Sequence, residues 1–217
     1  MFYGLDVHKE FLQVCALSAD GQTRRDFRVD GRAEAVEAFA RSLERTDAVV
    51  LEATFHSWSL VQILRRYVER VAVAEPAQLK AIAYARIKTD KVDAHILAQL
   101  LRLDFLPEVE LPAADTWNLR QLMTHRRQLR RQSVATKNTI HALLNRSLRR
   151  FPGKTLFSEA GYRWLAELEL PPAERRIIDD QVAFLRHVTE RLAALDRELV
   201  EQARLHPDAK LLVTIPG

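Results

Sequence analysis

At 217 residues the chain can hold one large domain or two small ones, and its composition, 47% hydrophobic and 29% charged, is that of an ordinary globular protein. Six glycines are too few for several glycine-rich phosphate loops, and no apolar run approaches the length of a membrane span. The formal charge of +4 is unevenly spread: residues 1–115 carry 15 Lys+Arg against 18 Asp+Glu, residues 116–158 carry 10 against none, and residues 159–217 carry 8 against 11. The acid-free middle block favours a polyanionic partner, and nucleic acid is the simplest candidate. The single cysteine, Cys15, lies in an apolar run and reads as a small buried hydrophobe in a reducing compartment. The N-terminus shows no basic start followed by an apolar core, so the protein reads as cytoplasmic, with no membrane partner.

In chain order, residues 2–7, 11–17 and 23–29 read as three strands, with a turn signal at Ala19-Asp20-Gly21-Gln22. Their tight connections predict an antiparallel meander. A helix follows over 32–45, where Val36, Phe39, Ala40 and Leu43 recur at helical spacing. Ala48-Val49-Val50-Leu51-Glu52 is a continuous apolar strand of the kind buried on both faces. A helix over 57–69, a buried strand over 71–74, a helix opened by Pro76 and running to about residue 84, and a helix from Asp90 to about Leu103 complete the first half. Pro107 and Pro112 predict a linker over 107–114, separating a domain at 1–106 from a helical region at 115–217.

Asp90 and Asp93 open an apolar-periodic run of Ala94, Leu97, Ala98 and Leu101. Positions i and i+3 share a helix face, so both carboxylates can point at one spot and hold a hard cation. The alternative is that Asp90 caps the helix and Asp93 complements its dipole. The strand–strand–strand–helix–strand–helix–strand–helix order is that of the ribonuclease H-like α/β fold. In that order Asp6, Glu52, Asp90 and Asp93 fall at one end of the sheet, where two-metal nuclease sites place their acids.

Three motifs carry a resemblance: Gly4-Leu5-Asp6-Val7-His8-Lys9, Leu51-Glu52-Ala53-Thr54 and Lys88-Thr89-Asp90-Lys91-Val92-Asp93-Ala94, with Glu75-Pro76 between the last two. Together they resemble the DEDD transposases of IS110-type bacterial insertion sequences, which are guided by a bridge RNA. The resemblance runs the length of the chain and implies a ribonuclease H-like (RuvC-like) domain followed by a coiled-coil segment. It implies Asp6, Glu52, Asp90 and Asp93 as the catalytic, metal-binding tetrad, and Mg²⁺ or Mn²⁺ as the cofactor. It further implies DNA and a guide RNA as partners, homo-oligomerisation, and a following serine-nucleophile domain that these residues lack. Phe55 departs from the pattern, which often has a glycine there, so the loop after Glu52 is expected to be stiffer. Ser57 and Ser59 read as helix caps, and His8 and His56 lie near the acids without metal-ligand spacing.

A long helix is expected over 115–150, with Leu119, Leu122, Leu129, Ile140 and Leu143 on one stripe interrupted by Arg126, Ser133 and Thr136. The candidate nucleic-acid contacts are Arg120, Arg126, Arg127, Arg130, Arg131, Lys137, Arg146, Arg149 and Arg150, with Asn138, His141 and Asn145 interleaved. Pro152-Gly153 ends this helix. Helices over 159–168 and 173–205 follow, the last with Leu185, Val188, Leu192, Leu195 and Leu199 at three-four spacing. The two striped helices read as an antiparallel coiled-coil hairpin, a dimer seam or ordinary core packing. The sequence thus points to the N-terminal part of a transposase. A Holliday-junction nuclease or invertase on the same fold and a non-catalytic nucleic-acid-binding regulator are the alternatives. ATP-binding relatives of the fold are disfavoured, because the remaining glycines make no second phosphate loop.

Overall fold

A computed structural model of the chain describes residues 1–82 and 89–205. The chain divides into two compact units, Met1–Leu111 and Pro112–Gly217. The first is a mixed α/β unit. Its strands are β1 (Phe2–Val7), β2 (Phe11–Leu17), β3 (Arg24–Asp30), β4 (Ala48–Glu52) and β5 (Arg70–Ala74). They form one sheet in the order β3-β2-β1-β4-β5. β1, β2 and β3 pair antiparallel as a meander, whereas β1, β4 and β5 pair parallel. This order is consistent with the ribonuclease H-like arrangement expected above. β4 reads Ala-Val-Val-Leu-Glu because it is covered on both faces.

Side chains alternate across the sheet with period two. One face joins Leu5, Leu12, Val14, Val49, Leu51 and Val73 to α1 (Ala33–Arg41) and α2 (Ser57–Leu64). The other joins Ala48, Val50, Ala72 and Ala74 to α3 (Pro76–Ile82) and α4 (Asp90–Arg102), and Cys15 and Leu17 to Ala94 and Ala98 of α4. Gly4 lies between these small residues. A Cβ there would overlap the Ala94 carbonyl oxygen and sit 2.6 Å from the Ala98 amide nitrogen. Only glycine therefore lets α4 lie directly on β1. Burial pushes the Cys15 thiol up to about 12, with the neighbouring Asp26 adding to the shift. Cys15 is a core residue, as its apolar setting suggests.

Several boundaries differ from the sequence expectation. The stretch expected as a linker from residue 107 begins as part of the first unit. The Glu75 amide donates to the Pro107 carbonyl and the Val109 amide to the Val73 carbonyl, so residues 107–109 run along the open edge of β5. The helix after Pro76 is described to Ile82, and its expected end near 84 lies outside the described residues, as do Lys88 and the Leu212–Gly217 run.

The second unit consists of α5 (Ala114–Arg146), α6 (Glu159–Glu167) and α7 (Pro172–Leu205). α5 stops four residues before the expected end. The Leu148 amide bonds to the Asn145 carbonyl and the Arg149 amide to the Leu144 carbonyl, with Leu148 at φ 56°. This is a Schellman turn, which closes a helix against its own last carbonyls. α5 and α7 pack antiparallel: Arg126 meets Asp196 near one end, and Ser147 meets Glu174 near the other. Leu122, Leu129, Val188, Leu192, Leu195 and Leu199 form one cluster along the pair, and Ile140, Leu143, Ile178 and Leu185 form another. Ser133 and Thr136 are buried members of the α5 stripe, so the polar residues expected to interrupt it lie inside it. Gly161 lets α6 touch the preceding loop, since a Cβ there would overlap the Leu156 carbonyl.

Gly4→Ala must push α4 away from β1, because the obstacle on the other side is backbone rather than a flexible side chain. The variant should lose about 2–4 kcal/mol of stability in urea unfolding. An equal change at the exposed Ala160 position, Ala160→Gly, should cost under about 1 kcal/mol.

Candidate functional site

The site is built where β1 ends, where the β1–β2 turn begins and where α4 starts. Asp6 is the penultimate residue of β1, and its even position puts it on the α4 face of the sheet, two residues beyond Gly4. Thr89 caps α4: its hydroxyl oxygen accepts from the Val92 amide at 3.3 Å. Asp90 therefore does not cap the helix, contrary to that alternative, and its carboxylate turns elsewhere. His8 lies between the two acids, its Nε2 3.1 Å from Asp6 Oδ2 and 3.5 Å from Asp90 Oδ1. Donor atoms of Asp6, His8 and Asp90 all lie within 4.8 Å of one another, the separation of groups able to hold one metal ion. His8, which the sequence placed near the acids without making it a ligand, belongs to this cluster. The adjacency in the Asp6-Val7-His8 run was the available signal: on a strand, alternate residues share a face.

Two further members carried no signal in the sequence. Arg28 on β3 places a guanidinium nitrogen 3.5 Å from Asp90 Oδ2 and donates from Nε to Gln13 Oε1 at 3.1 Å. Gln13 is buried, and its amide donates to the Phe27 carbonyl at 3.0 Å. The Arg28 guanidinium also lies 4.2 Å over the Phe11 ring, whose centroid is 4.6 Å from that of His8. The arginine is thus oriented by an amide and a ring before it meets Asp90.

The other two acids of the expected tetrad are placed less closely. Asp93 stands in the first turn of α4, and its charge acts on Asp6. Glu52 is the last residue of β4, half-buried, and follows the register pair Leu5↔Leu51, so it is the next residue along the strand beside Asp6. Among the described residues neither joins a group within the 4.8 Å limit. The loop after Glu52 is held by Ser57, whose hydroxyl donates to the Glu52 carbonyl and accepts from the Thr54 amide at 2.7 Å. Ser57 therefore fastens a loop rather than capping α2. Phe55, at its tip, is 96% exposed.

Burial raises the Asp6 carboxyl above its ordinary value, and the charges of Asp93 and Asp90 add to the rise, against the opposing pull of His8. The cluster therefore favours positive charge: ionised Asp6 is costly until a cation offsets it.

A second candidate surface lies on α5. An open groove of about 500 Å³ is lined by Arg127, Arg130, Arg131, Val134, Ala135 and Asn138. Arg127 touches Thr124 at 3.0 Å, and the Lys137 ammonium lies 5.3 Å over the Phe157 ring. Arg120, Arg146, Arg149 and Arg150 are exposed. Arg126 is the exception among the nine expected contacts. It forms a two-pronged ion pair with Asp196 of α7, half-buried at the helix seam, and is not offered to a ligand. The acid-free segment is thus neutralised at one point by an acid seventy residues away. No helix among the described residues is long and apolar enough to cross a membrane.

The family model for DEDD transposases of the IS110 type matches residues 3–148. The chain is also similar to y4qE of Sinorhizobium fredii (strain NBRC 101917 / NGR234), a protein named as a transposase. It is 26% identical over 189 residues, covering 83% of this chain and 48% of that protein. It is 24% identical over 217 residues to the transposase for insertion sequence element IS1533 of Leptospira borgpetersenii, covering 95% of this chain and 62% of that one. The chain spans about half to three-fifths of the length of these curated relatives.

The direction of the Asp6 shift predicts a pH dependence. A carboxyl whose folded value is raised is protonated more readily in the folded chain than in the unfolded one, so stability falls as pH rises through the window above about 4. With divalent ions chelated, Asp6→Asn should melt above the parent at pH 7. The gap should close toward pH 4, where the parent carboxyl is neutral as well. Equal melting temperatures at pH 7 would mean that the acids do not burden the fold.

Proposed function

The chain belongs to the DEDD transposase family of the IS110 type, and from that premise we propose that it is the nucleic-acid-binding and metal-binding portion of a DNA transposase. In this reading the first unit, Met1–Leu111, is a RuvC-like catalytic domain, and the helices from Ala114 onward form a basic, coiled-coil-like region. Asp6, Glu52, Asp90 and Asp93 hold Mg²⁺ or Mn²⁺. The observation that carries the reading is the convergence of Asp6 and Asp90 across the Gly4 contact, with the Asp6 carboxyl raised by burial and by its acidic neighbours.

The donors present fit such an ion. Carboxylate oxygens suit Mg²⁺ and Mn²⁺, and the Asp6–Asp90 pair needs positive charge between its members. Held by these carboxylates, a divalent ion would supply positive charge to neutralise a phosphate and polarise the scissile phosphodiester. The side chains have their own parts. Asp6 is fixed by the sheet and Asp90 by the first turn of α4, so neither needs to reorganise to meet a ligand. Glu52 approaches from the neighbouring strand end, in a loop pinned by Ser57. Arg28 faces Asp90 and limits the net negative charge that a phosphate would meet.

The α5 face supplies the backbone contacts. Arg127, Arg130 and Arg131 project from one exposed stretch, and arginine forks match phosphate oxygens. DNA and a structured guide RNA are the partners in this reading. Sequence is then chosen by base pairing, while the protein holds phosphate and helix shape.

Two measurements test it. Millimolar Mg²⁺ or Mn²⁺ should raise the melting temperature, by an amount equivalent to about 1.4 kcal/mol at ten times the dissociation constant, and Asp90→Asn should lose most of that rise. Indifference of the parent to both ions would remove the metal site. For α5, affinity for duplex DNA or structured RNA should fall with salt. Replacing Arg127, Arg130 and Arg131 together by Gln should flatten the logarithmic slope by roughly two to three units. An unchanged slope would leave this face merely solvated.

A further inference from the structure

Beyond the end of α5, the chain between α5 and α6 folds back beside a half-open recess of about 260 Å³. Its wall is built from two chemistries. Arg149, Arg150 and Lys154 bring three cations, with the Asn145 amide beside them, and no acid lines it. Among the described residues none of the ion pairs takes any of these three cations. The rings of His141 and Phe151 line it as well, and Leu144 and Leu156 back it from the core, almost wholly covered.

The loop is pre-shaped rather than loose. The Schellman turn at Leu148 fixes its start. Gly153 lies directly against the Phe151 ring, where a Cβ would come within 2.5 Å of Cε1, and that ring packs 5.5 Å from Trp164 of α6. Leu148 is 93% exposed and holds a left-handed backbone that a leucine adopts at a cost. Its neighbours Arg149 and Arg150 leave that turn on the cavity wall.

Cations beside two rings select an anion that carries a flat ring of its own. A bare phosphate has no use for the rings, and a small apolar ligand has none for three cations. A duplex presents its phosphates on a convex surface with the bases stacked inside, so it meets projecting side chains such as those of the α5 face and not a recess. The volume lies just under the range of about 300–1,000 Å³ typical of small-molecule sites. It suits one nucleotide whose base has left the stack. The Asn145 amide, with both a donor and an acceptor, can pair with a base edge.

We propose that this cavity seats a single unpaired nucleotide of a nucleic acid whose paired portion lies along α5. The proposal rests on the reading of α5 as a nucleic-acid surface and assigns a separate ligand to a separate recess.

The test uses the full chain and fluorescence anisotropy at low salt. The probes are a blunt duplex and the same duplex with a short single-stranded overhang, each in DNA and RNA form. The overhang should tighten binding by about tenfold, in line with the value of one well-held base. The form that gains identifies whether DNA or RNA supplies the nucleotide. Asn145→Ala combined with Lys154→Gln should bring the overhang probe to within about twofold of the blunt one. Both residues are exposed, and an unchanged melting temperature confirms that the fold is kept. Equal affinity of the parent for blunt and overhang probes overturns the cavity assignment alone, and so does a double variant that keeps the tenfold preference. A parent that binds no probe in a salt-dependent way overturns the α5 reading itself.

Discussion

The direct contact of α4 with β1 is the constraint on which the first unit depends. It exists because position 4 has no side chain and positions 94 and 98 have only methyl groups. The same contact sets the geometry of the acids. Asp6 follows Gly4 by two residues, so it stands on the same face of the strand. Asp90 precedes Ala94 by four, so it stands on the same face of the helix. A helix lifted off the strand would separate the carboxylates by the amount it moved. Packing and site geometry are thus one feature here: the glycine that closes the core also brings two like charges together. That arrangement is unfavourable in isolation, and the surroundings moderate it. His8 lies between the two carboxylates, Arg28 touches the outer one, and Gln13 and Phe11 hold Arg28 in place.

In the second unit the helix pair sorts charge by position. The face of α5 toward α7 is apolar except at Arg126, Ser133 and Thr136. The small Ser133 and Thr136 lie between the two leucine-rich clusters, and Arg126 is matched by Asp196. Polar residues at a helix seam favour the register that satisfies them. A shift of one turn would separate Arg126 from Asp196 at one end and Ser147 from Glu174 at the other. The remaining cations of α5 point outward, without acids of their own segment nearby. Placing a charge in the seam requires a partner; placing it outside does not. This is why Arg126 is tied to Asp196 by hydrogen bonds, whereas Arg130 stays exposed and acts on that acid through its charge alone.

The strands and helices of the first unit were legible in the sequence because each rests on a local pattern. Apolar runs gave the strands, three-four spacing gave the helices, and the Asp90–Asp93 pair ahead of Ala94 and Leu97 gave the start of α4. What was not legible depends on pairing between distant segments. Arg28 meets Asp90 only because β3 is brought beside β2 and α4 lies across that side of the sheet, and a surface arginine on a strand carries no mark of it. His8 could have been inferred from period two, but histidine next to a turn has too many ordinary roles to stand out. Arg126 was read as free because charge was counted along the chain, whereas Asp196 arrives through space. The early stop of α5 was missed for a different reason: a leucine does not advertise a left-handed turn.

That turn can be compared with its counterpart at the end of α4. There the same hydrogen-bond pattern closes the helix, with the Phe105 amide on the Leu100 carbonyl and Asp104 at φ 52°. Aspartate tolerates this backbone, and Asp104 is further tied to Arg70 at 2.9 Å, so the turn is supported by its own side chain. Leu148 has neither support: it is an apolar side chain in solvent, in a conformation that costs a non-glycine residue about 1 kcal/mol or more. Glycine would serve the helix end better. A conformation that local preference opposes persists only where the surrounding structure fixes it. Here the fixed points are the buried Leu144 and Leu156 on one side and Phe151 held between Gly153 and Trp164 on the other. What that rigidity holds in place is a rim of three cations beside the rings of His141 and Phe151, and among the described residues no ion pair of the helices takes those cations.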